Sequence, residues 1–416
     1  MPSPHRGGIT VDNAELFKQR RERMRRAIDL KEPDRVPLIE SHGYFAARNA
    51  GITSQEFLFD YAKAGAASVK AAVDYGYDTA SGMNSLGALP LTLAFVGEGD
   101  GIMPGWINGP VHDILGCRYA RFPGRELPID SPFQFIGEEY MKAEEYPALI
   151  DDPKKYIAEV LLSRSMRALE KPGSAHAMAA LHRWGIECRR GAEAGAKLRG
   201  ELNGLGFPGF TEGMSYAPLD FIGDFARDIK HTLLDCYRRP NEVKQAAEAL
   251  KGVIIEMGRI MAKTSSPGAV VFIPLHLNEY FSPQQYAEFY WPTLKEVVED
   301  LVRLGFTPEV FYEGQHAMHL DTILELPKGR TISRFEKTDL VKAKRVVGDH
   351  SCIVGGPPSS IFLTTPAKVD VYVKELFAEV KQGGGFMLSP AVPLPAEARP
   401  ECVKALMDAV KRYGAY

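Results

Sequence analysis

Two glutamates end otherwise apolar runs: Glu313 after "TPEVFY" and Glu336 after "RTISRF". Neither is placed to cap a helix. A carboxylate drawn toward a core is costly unless a cation or a hydrogen-bond donor meets it, so acids in such places hold a metal or move a proton. His276 follows "VVFIPL" in the same manner, although a hydrogen-bonded core histidine suits it as well as a ligand does. Further polar groups stand where other strands should end: Glu40 and His42 after "RVPLI", Glu279 beyond His276, Lys337 beside Glu336, and Ser389 after "GFML". His316 and His319, three apart just past Glu313, read as groups that support the site from behind or as part of a lid. For any one of these residues a solvated loop start is an equal reading, and the convergence of several is the signal.

The elements that must position these groups alternate regularly in the second half. Apolar strand-like runs "GAVVFIPLHL", "PEVFYEG", "RTISRFE", "SCIVGG" and "GFMLSP" are separated by amphipathic helices, one opened by Ser282 as N-cap and Pro283 at the first helical position. In the last helix Val403, Leu406, Met407 and Val410 recur at helical spacing. Five strands alternating with helices predict parallel βα units, and no GxGxxG follows a first strand, so a (β/α)8 TIM-type barrel with extra N-terminal helices is expected over a dinucleotide fold. "RVPLIES" and "YDTASGM" would supply the first two strands, and residues 1–30 a helical extension to a barrel domain over 31–416. Acids at the C-terminal ends of barrel strands point into the face where barrel active sites are built. By the same rule His350, which begins a strand, belongs to the opposite face, and Cys352 inside that strand belongs to the core.

Composition excludes several other classes. The chain has 416 residues, 45% of them hydrophobic and 25% charged, with a formal net charge of -3. That balance offers no basic footprint for nucleic acid. Five scattered cysteines without a CxxC pair indicate neither a disulfide framework nor a cysteine zinc cluster. With no apolar h-region and no span-length apolar window, no membrane partner and a cytoplasmic location are expected. The glycine clusters Gly355–Gly356 and Gly383–Gly385 lack the Lys-Ser/Thr of a phosphate loop and read as turns.

The entry "RERMRRAIDLKEPDRVPLIE", followed in order by "RDIKHTLLDCYRRPNEVKQAAEAL", "YFSPQQYAEFYWPTLKEVV", "GGPPSSIFLTTPAKVDVYVKEL" and "GGGFMLSPAVPLPAEARPECVKALMDAV", resembles the uroporphyrinogen decarboxylase superfamily. The resemblance is to its corrinoid-dependent methyltransferase branch, and it implies a (β/α)8 barrel. True uroporphyrinogen decarboxylases carry an Arg-rich segment after the first strand, where this chain has "LIESHGYFAARNAG". The zinc methyltransferases carry His-x-Cys-Gly at a late strand end and a further cysteine near the last strand; here stand Phe311-Tyr312-Glu313-Gly314 and "SPAVP". The thiolate ligands are absent, and the resemblance implies Glu313 as an oxygen donor in their place.

The resemblance therefore implies a methyltransferase that demethylates a small methoxylated or methylated, even aromatic, compound and passes the methyl group to a corrinoid held by a partner protein. Glu313, Glu336, His42 and Lys337 are the candidate catalytic groups. His276, Glu313 and Glu336 are the candidate ligands of a divalent metal, zinc by the donor set. Glu40, Tyr44, Phe45, Tyr216, Tyr280, Tyr312 and Ser389, with Phe221 and Phe225 nearby, would line the substrate site. An acid-rich, aromatic-walled mouth suits a neutral or weakly charged substrate. The family also suggests a homodimer. The alternatives are a cofactor-independent decarboxylase or lyase using Lys337 or His42, and a non-catalytic binding barrel.

Overall fold

The protein is described here from a computed structural model covering residues 12–80, 86–98 and 106–416. Six strands form one parallel sheet in chain order: β1 (Thr211–Met214), β2 (Val270–Leu275), β3 (Thr307–Tyr312), β4 (Ile332–Phe335), β5 (Cys352–Gly355) and β6 (Phe386–Leu388). β-branched residues such as Val271, Ile273, Ile353 and Val354 dominate them because parallel strands in a barrel are covered on both faces. Helices Pro240–Ala262, Trp291–Arg303, Leu340–Val347, Pro366–Val380 and Pro400–Tyr413 return the chain between strands or close it.

Backbone hydrogen bonds complete the ring through two extended segments. Leu388 N–H donates to Pro37 O and Ile39 N–H to Leu388 O, both at 2.8 Å. Asp78 N–H then reaches Leu38 O at 3.0 Å, and Ala80 N–H reaches Pro208 O at 2.9 Å, next to β1. The segments expected as the first two strands thus occupy those places in a TIM-type barrel, although Ser81–Met83 of the second lie outside the described residues.

Strand alternation separates two cores. Leu38, Ile273, Tyr312 and Phe335 pack outward against the helices, whereas Ile39, Val270, Ile332, Cys352, Val354 and Met387 fill the lower barrel together with Met24 and Ala27 of helix Asn13–Ile28. The N-terminal helix is therefore the plug of the barrel floor. Arg23 fastens it, donating to Asp34 at 2.5 Å and to the wholly buried Asp78 at 2.6 Å. Asp78 also accepts from Arg35 and from Leu38 N–H, which ties the "EPDRVPL" entry to both closing segments.

Some elements differ from expectation. Strand β1 and the helical stretch Pro218–Ala226 were not expected, and the 30-residue helix Ala175–Gly204 lies where only unspecified helix was expected. "SQEFLFDYAKAGAASVKAAVDYG" breaks at Asp60, whose carboxylate caps Ala62 and Lys63 N–H and starts a second helix. The helix opened by Ser282 contains a wide turn over Tyr286–Tyr290, in which Trp291 N–H bonds back to Tyr286 O. Pro292 follows at once; having no N–H, it cannot sustain a regular ladder there. Among the described residues no helix is long and apolar enough to cross a membrane.

Candidate active site

The sheet register aligns the strand-end acids. Leu275, Tyr312 and Phe335 are neighbours across β2, β3 and β4, so His276, Glu313 and Glu336 leave the sheet at one level. Leu388 pairs with Gly355 on β5 and with Leu38, which brings Ser389 to the same end, with Glu40 just past it. His350 lies at the other end, its Nε2 at 2.7 Å from Leu326 O in the approach to β4. Cys352 is fully buried in the lower barrel.

His276 is the centre of the contacts. Its Nδ1 lies 2.6 Å from Asp224 Oδ2, and Tyr216 Oη donates to the same carboxylate oxygen at 2.6 Å. Its Nε2 faces Glu313 Oε1 at 3.5 Å. Asp220, with no exposure, accepts from His276 N–H, Leu277 N–H and Tyr290 Oη, so it fixes the backbone from which the imidazole projects. Burial alone would strip the imidazole of its proton, but Asp224 and Glu313 outweigh burial and hold it charged well above the ordinary histidine range. Burial, reinforced by Asp224 and opposed by His276, raises the Asp220 carboxyl to about 7.

Asp220 and Asp224 were missed by sequence reasoning. Their signal was two acids four apart in the apolar stretch "APLDFIGDFA". The chain there forms a wide turn, with Arg227 N–H bonding back to Ile222 O at 2.7 Å, a feature frequent at functional sites.

Glu313 and Glu336 face a tight turn. Gly314 N–H donates to Glu336 Oε2 at 2.8 Å, and Gln315 N–H donates to Glu279 Oε2 at 3.1 Å. Gly314 has φ +63°, and a Cβ there would stand 2.0 Å from the Glu279 carboxylate, so glycine is favoured after Glu313. Behind the turn, Asn278 Nδ2 donates to Glu313 O, and His316 and His319 are buried against Tyr286 and Tyr312. Burial lowers both histidines below their ordinary value, His316 far below it.

Zinc requires at least three protein donors. Among the described residues no group of three or more His, Cys, Asp or Glu side chains converges as metal ligands do. His276 keeps Nε2 open with Nδ1 against Asp224, and Glu336 Oε2 accepts from the Gly314 amide, but among the described residues His276, Glu313 and Glu336 do not converge as a ligand set. Two donors, His276 Nε2 and Glu313, face one another, which is short of a zinc site.

The other expected residues divide. Tyr216 belongs to the site, and the buried Phe221 and Phe225 pack behind it. Ser389 is buried and accepts from Arg334 Nη1 at 3.2 Å. Lys337 is largely exposed, its Nζ 3.9 Å from Glu336. Glu40 and His42 are both enclosed, with His42 Nδ1 2.6 Å from Glu40 Oε1, so His42 is buried rather than open to a substrate. Tyr312 is not a lining residue: strand alternation turns it outward, where it stacks on Phe335. Phe45 is core against Tyr75, Tyr44 sits between Phe57 and Phe133 and accepts from Phe133 N–H, and Tyr280 is exposed.

Inside the upper barrel lie residues that the sequence reading had passed over. Phe272 and Phe311 face each other with ring centroids 5.9 Å apart, and the Arg334 guanidinium stands 5.9 Å from the Phe311 ring. Arg334 Nε donates to the wholly buried Glu309 at 2.7 Å. A separate groove of about 830 Å³ between the N-terminal helix and the starts of β2 and β3 is at the opposite end from these groups.

The barrel with an acid-lined C-terminal mouth is that of a known enzyme family. Residues 192–413 match the uroporphyrinogen decarboxylase (URO-D) family, and the chain belongs to it. Among solved structures it is similar to a methyltransferase from Methanosarcina mazei, with a TM-score of 0.61 at 15% identity over 96% of this chain and 98% of that one, which shows a shared fold. No curated protein sequence matches.

Proposed function

We propose that this protein is a methyltransferase that removes the methyl group of a small, neutral methoxylated or methylated compound and delivers it to a corrinoid carried by a partner protein. The likeness in fold to a methyltransferase supports the reaction class. The observation that carries the reading is His276, braced by Asp224 and presenting Nε2 beside Glu313 at the mouth. The corrinoid supplies a nucleophilic metal that accepts the methyl group. As the carbon–oxygen bond breaks, both bonding electrons stay on oxygen, and an alkoxide or phenolate leaves poorly unless it is protonated. His276 Nε2–H is placed to give that proton. Asp224 and Tyr216 keep the ring oriented, Asp220 keeps its backbone fixed, and the Glu313 carboxylate accepts a proton from solvent and passes it to the imidazole for the next turnover.

The test is a visible-spectrum assay of purified protein with free reduced cobalamin and a panel of methoxylated compounds, run beside metal analysis. Demethylation that is lost in His276→Gln supports the reading. Release of labelled carbon dioxide from a carboxylated substrate without any corrinoid decides for a decarboxylase instead. Stoichiometric bound zinc required for activity would replace His276 as the acid.

A further inference from the structure

The foot of the barrel, opposite the mouth, carries the groove of about 830 Å³ that the chemistry at His276 does not use. One wall is the helix Asn13–Ile28, and the other is the set of loops that lead into β1, β2, β3 and β4. Glycine keeps the loop side open: a Cβ on Gly268 or Gly305 would meet nothing within 4 Å. The floor is apolar. Met24 and Val270 are buried there, Ile28 and Phe210 pack on the same lower-barrel core, and Phe17 is half-buried.

The rim is charged and out of balance. Four basic side chains line the groove against three acidic ones. Arg25 lies 3.8 Å from Glu22 and 3.4 Å from Asp29, which accounts for both of those carboxylates. Lys18, Arg21 and Arg330 are exposed and have no ion pair among the described residues, and only Glu212 is left to offset them. The Arg21 guanidinium stands 5.8 Å from the centroid of the Phe17 ring, so the cationic rim adjoins the apolar floor.

From this arrangement we propose that the groove is a binding site for a small organic anion with an apolar body, separate from the reaction at the mouth. Its volume lies in the range of small-molecule sites. The body covers the recessed apolar floor, and the acidic group meets the surplus cations of the rim. A cationic ligand would add to that surplus, and a neutral one would leave it unmatched. None of the exposed large hydrophobic side chains lines the groove, so a protein partner finds no protruding anchor there. Because its walls belong to the floor helix and to the sheet, a bound ligand ties the helix to the barrel and stabilises the fold.

The experiment is a fluorescence titration of the full chain with anilinonaphthalenesulfonate, an aromatic monoanion, beside phenylnaphthylamine, which has the same rings without the charge. Hydrogen exchange locates the bound dye. The anion should bind more tightly, raise the melting temperature, and slow exchange in Asn13–Ile28 and at the starts of β2 and β3. Its affinity should fall as sodium chloride rises from about 0.02 M to about 0.5 M. Arg21→Gln with Arg330→Gln should weaken it by about tenfold, the loss expected for a charge-assisted contact. Glu212→Gln should tighten it. All three positions are exposed, so these variants keep the fold. Equal affinity for the two dyes, or an affinity unchanged in the paired variant, overturns the site. Protection confined to the loops around His276 and Glu313, or found in no segment, overturns it too. No readout here depends on turnover, so this site and the methyl-transfer reading stand or fall separately.

Discussion

At the scale of single residues, the proposed chemistry gives His276 and Glu313 different duties. His276 owes its charge to Asp224 and Glu313 acting against burial. Replacing Asp224 by Asn removes the strongest favourable partner, so the His276 pKa should fall, and NMR titration of the imidazole reads this directly without any substrate. An unchanged titration would show that Asp224 does not set the charge. Glu313→Gln keeps the shape but loses the carboxylate that accepts a proton, and turnover should drop by about a hundredfold or more with the melting temperature intact. Full activity in that variant removes Glu313 from the chemistry.

At the scale of the element, the turn after β3 decides where Glu313 points. Gly314 takes a left-handed conformation and leaves a seat for the Glu279 carboxylate. Gly314→Ala should cost about 1–3 kcal/mol through strain and displacement of that carboxylate. Turnover should fall with it, whereas a variant melting and turning over like wild type would mean that the turn tolerates a side chain. The same turn buries His316 and His319 uncharged. A histidine whose folded pKa is lowered contributes stability in full above the ordinary value of 6.5, and that contribution is lost as pH falls below it. Denaturant midpoints should therefore decline more steeply between neutral and mildly acidic pH in wild type than in His316→Asn. Parallel curves would exclude His316 as the cause.

For the whole molecule, barrel closure converges on one buried acid. Asp78 receives Arg23 from the floor helix, Arg35 from the entry turn and the Leu38 amide from the first barrel segment. Asp78→Ala would leave two guanidinium groups facing an apolar gap, and a loss of about 3–5 kcal/mol is expected. Equilibrium unfolding measures it, and a change under 1 kcal/mol, roughly the worth of a surface ion pair, would show that closure does not depend on this junction. The helix Asn13–Ile28 seals the apolar floor with Met24 and Ala27.

What the sequence determined by itself is periodic or local. The apolar runs of β2 to β6 and the amphipathic helices between them were legible because burial on both faces of a strand, or on one face of a helix, leaves a repeating mark. Glu313, Glu336 and His276 stood out because each interrupts such a run at its end. Tertiary structure alone decided the rest. Strand alternation sent Tyr312 outward and Glu309, Phe311 and Arg334 inward, and a single strand buried on both faces does not display which side is the barrel interior. Asp224 meets His276 across 52 residues of chain, and Asp220 meets its backbone across 56, contacts that depend on a wide helical turn no local pattern announces. The Glu336 carboxylate, expected as a metal ligand, accepts from the Gly314 amide at 2.8 Å, because a strand end fixes where a side chain starts and the neighbouring turn fixes what it meets.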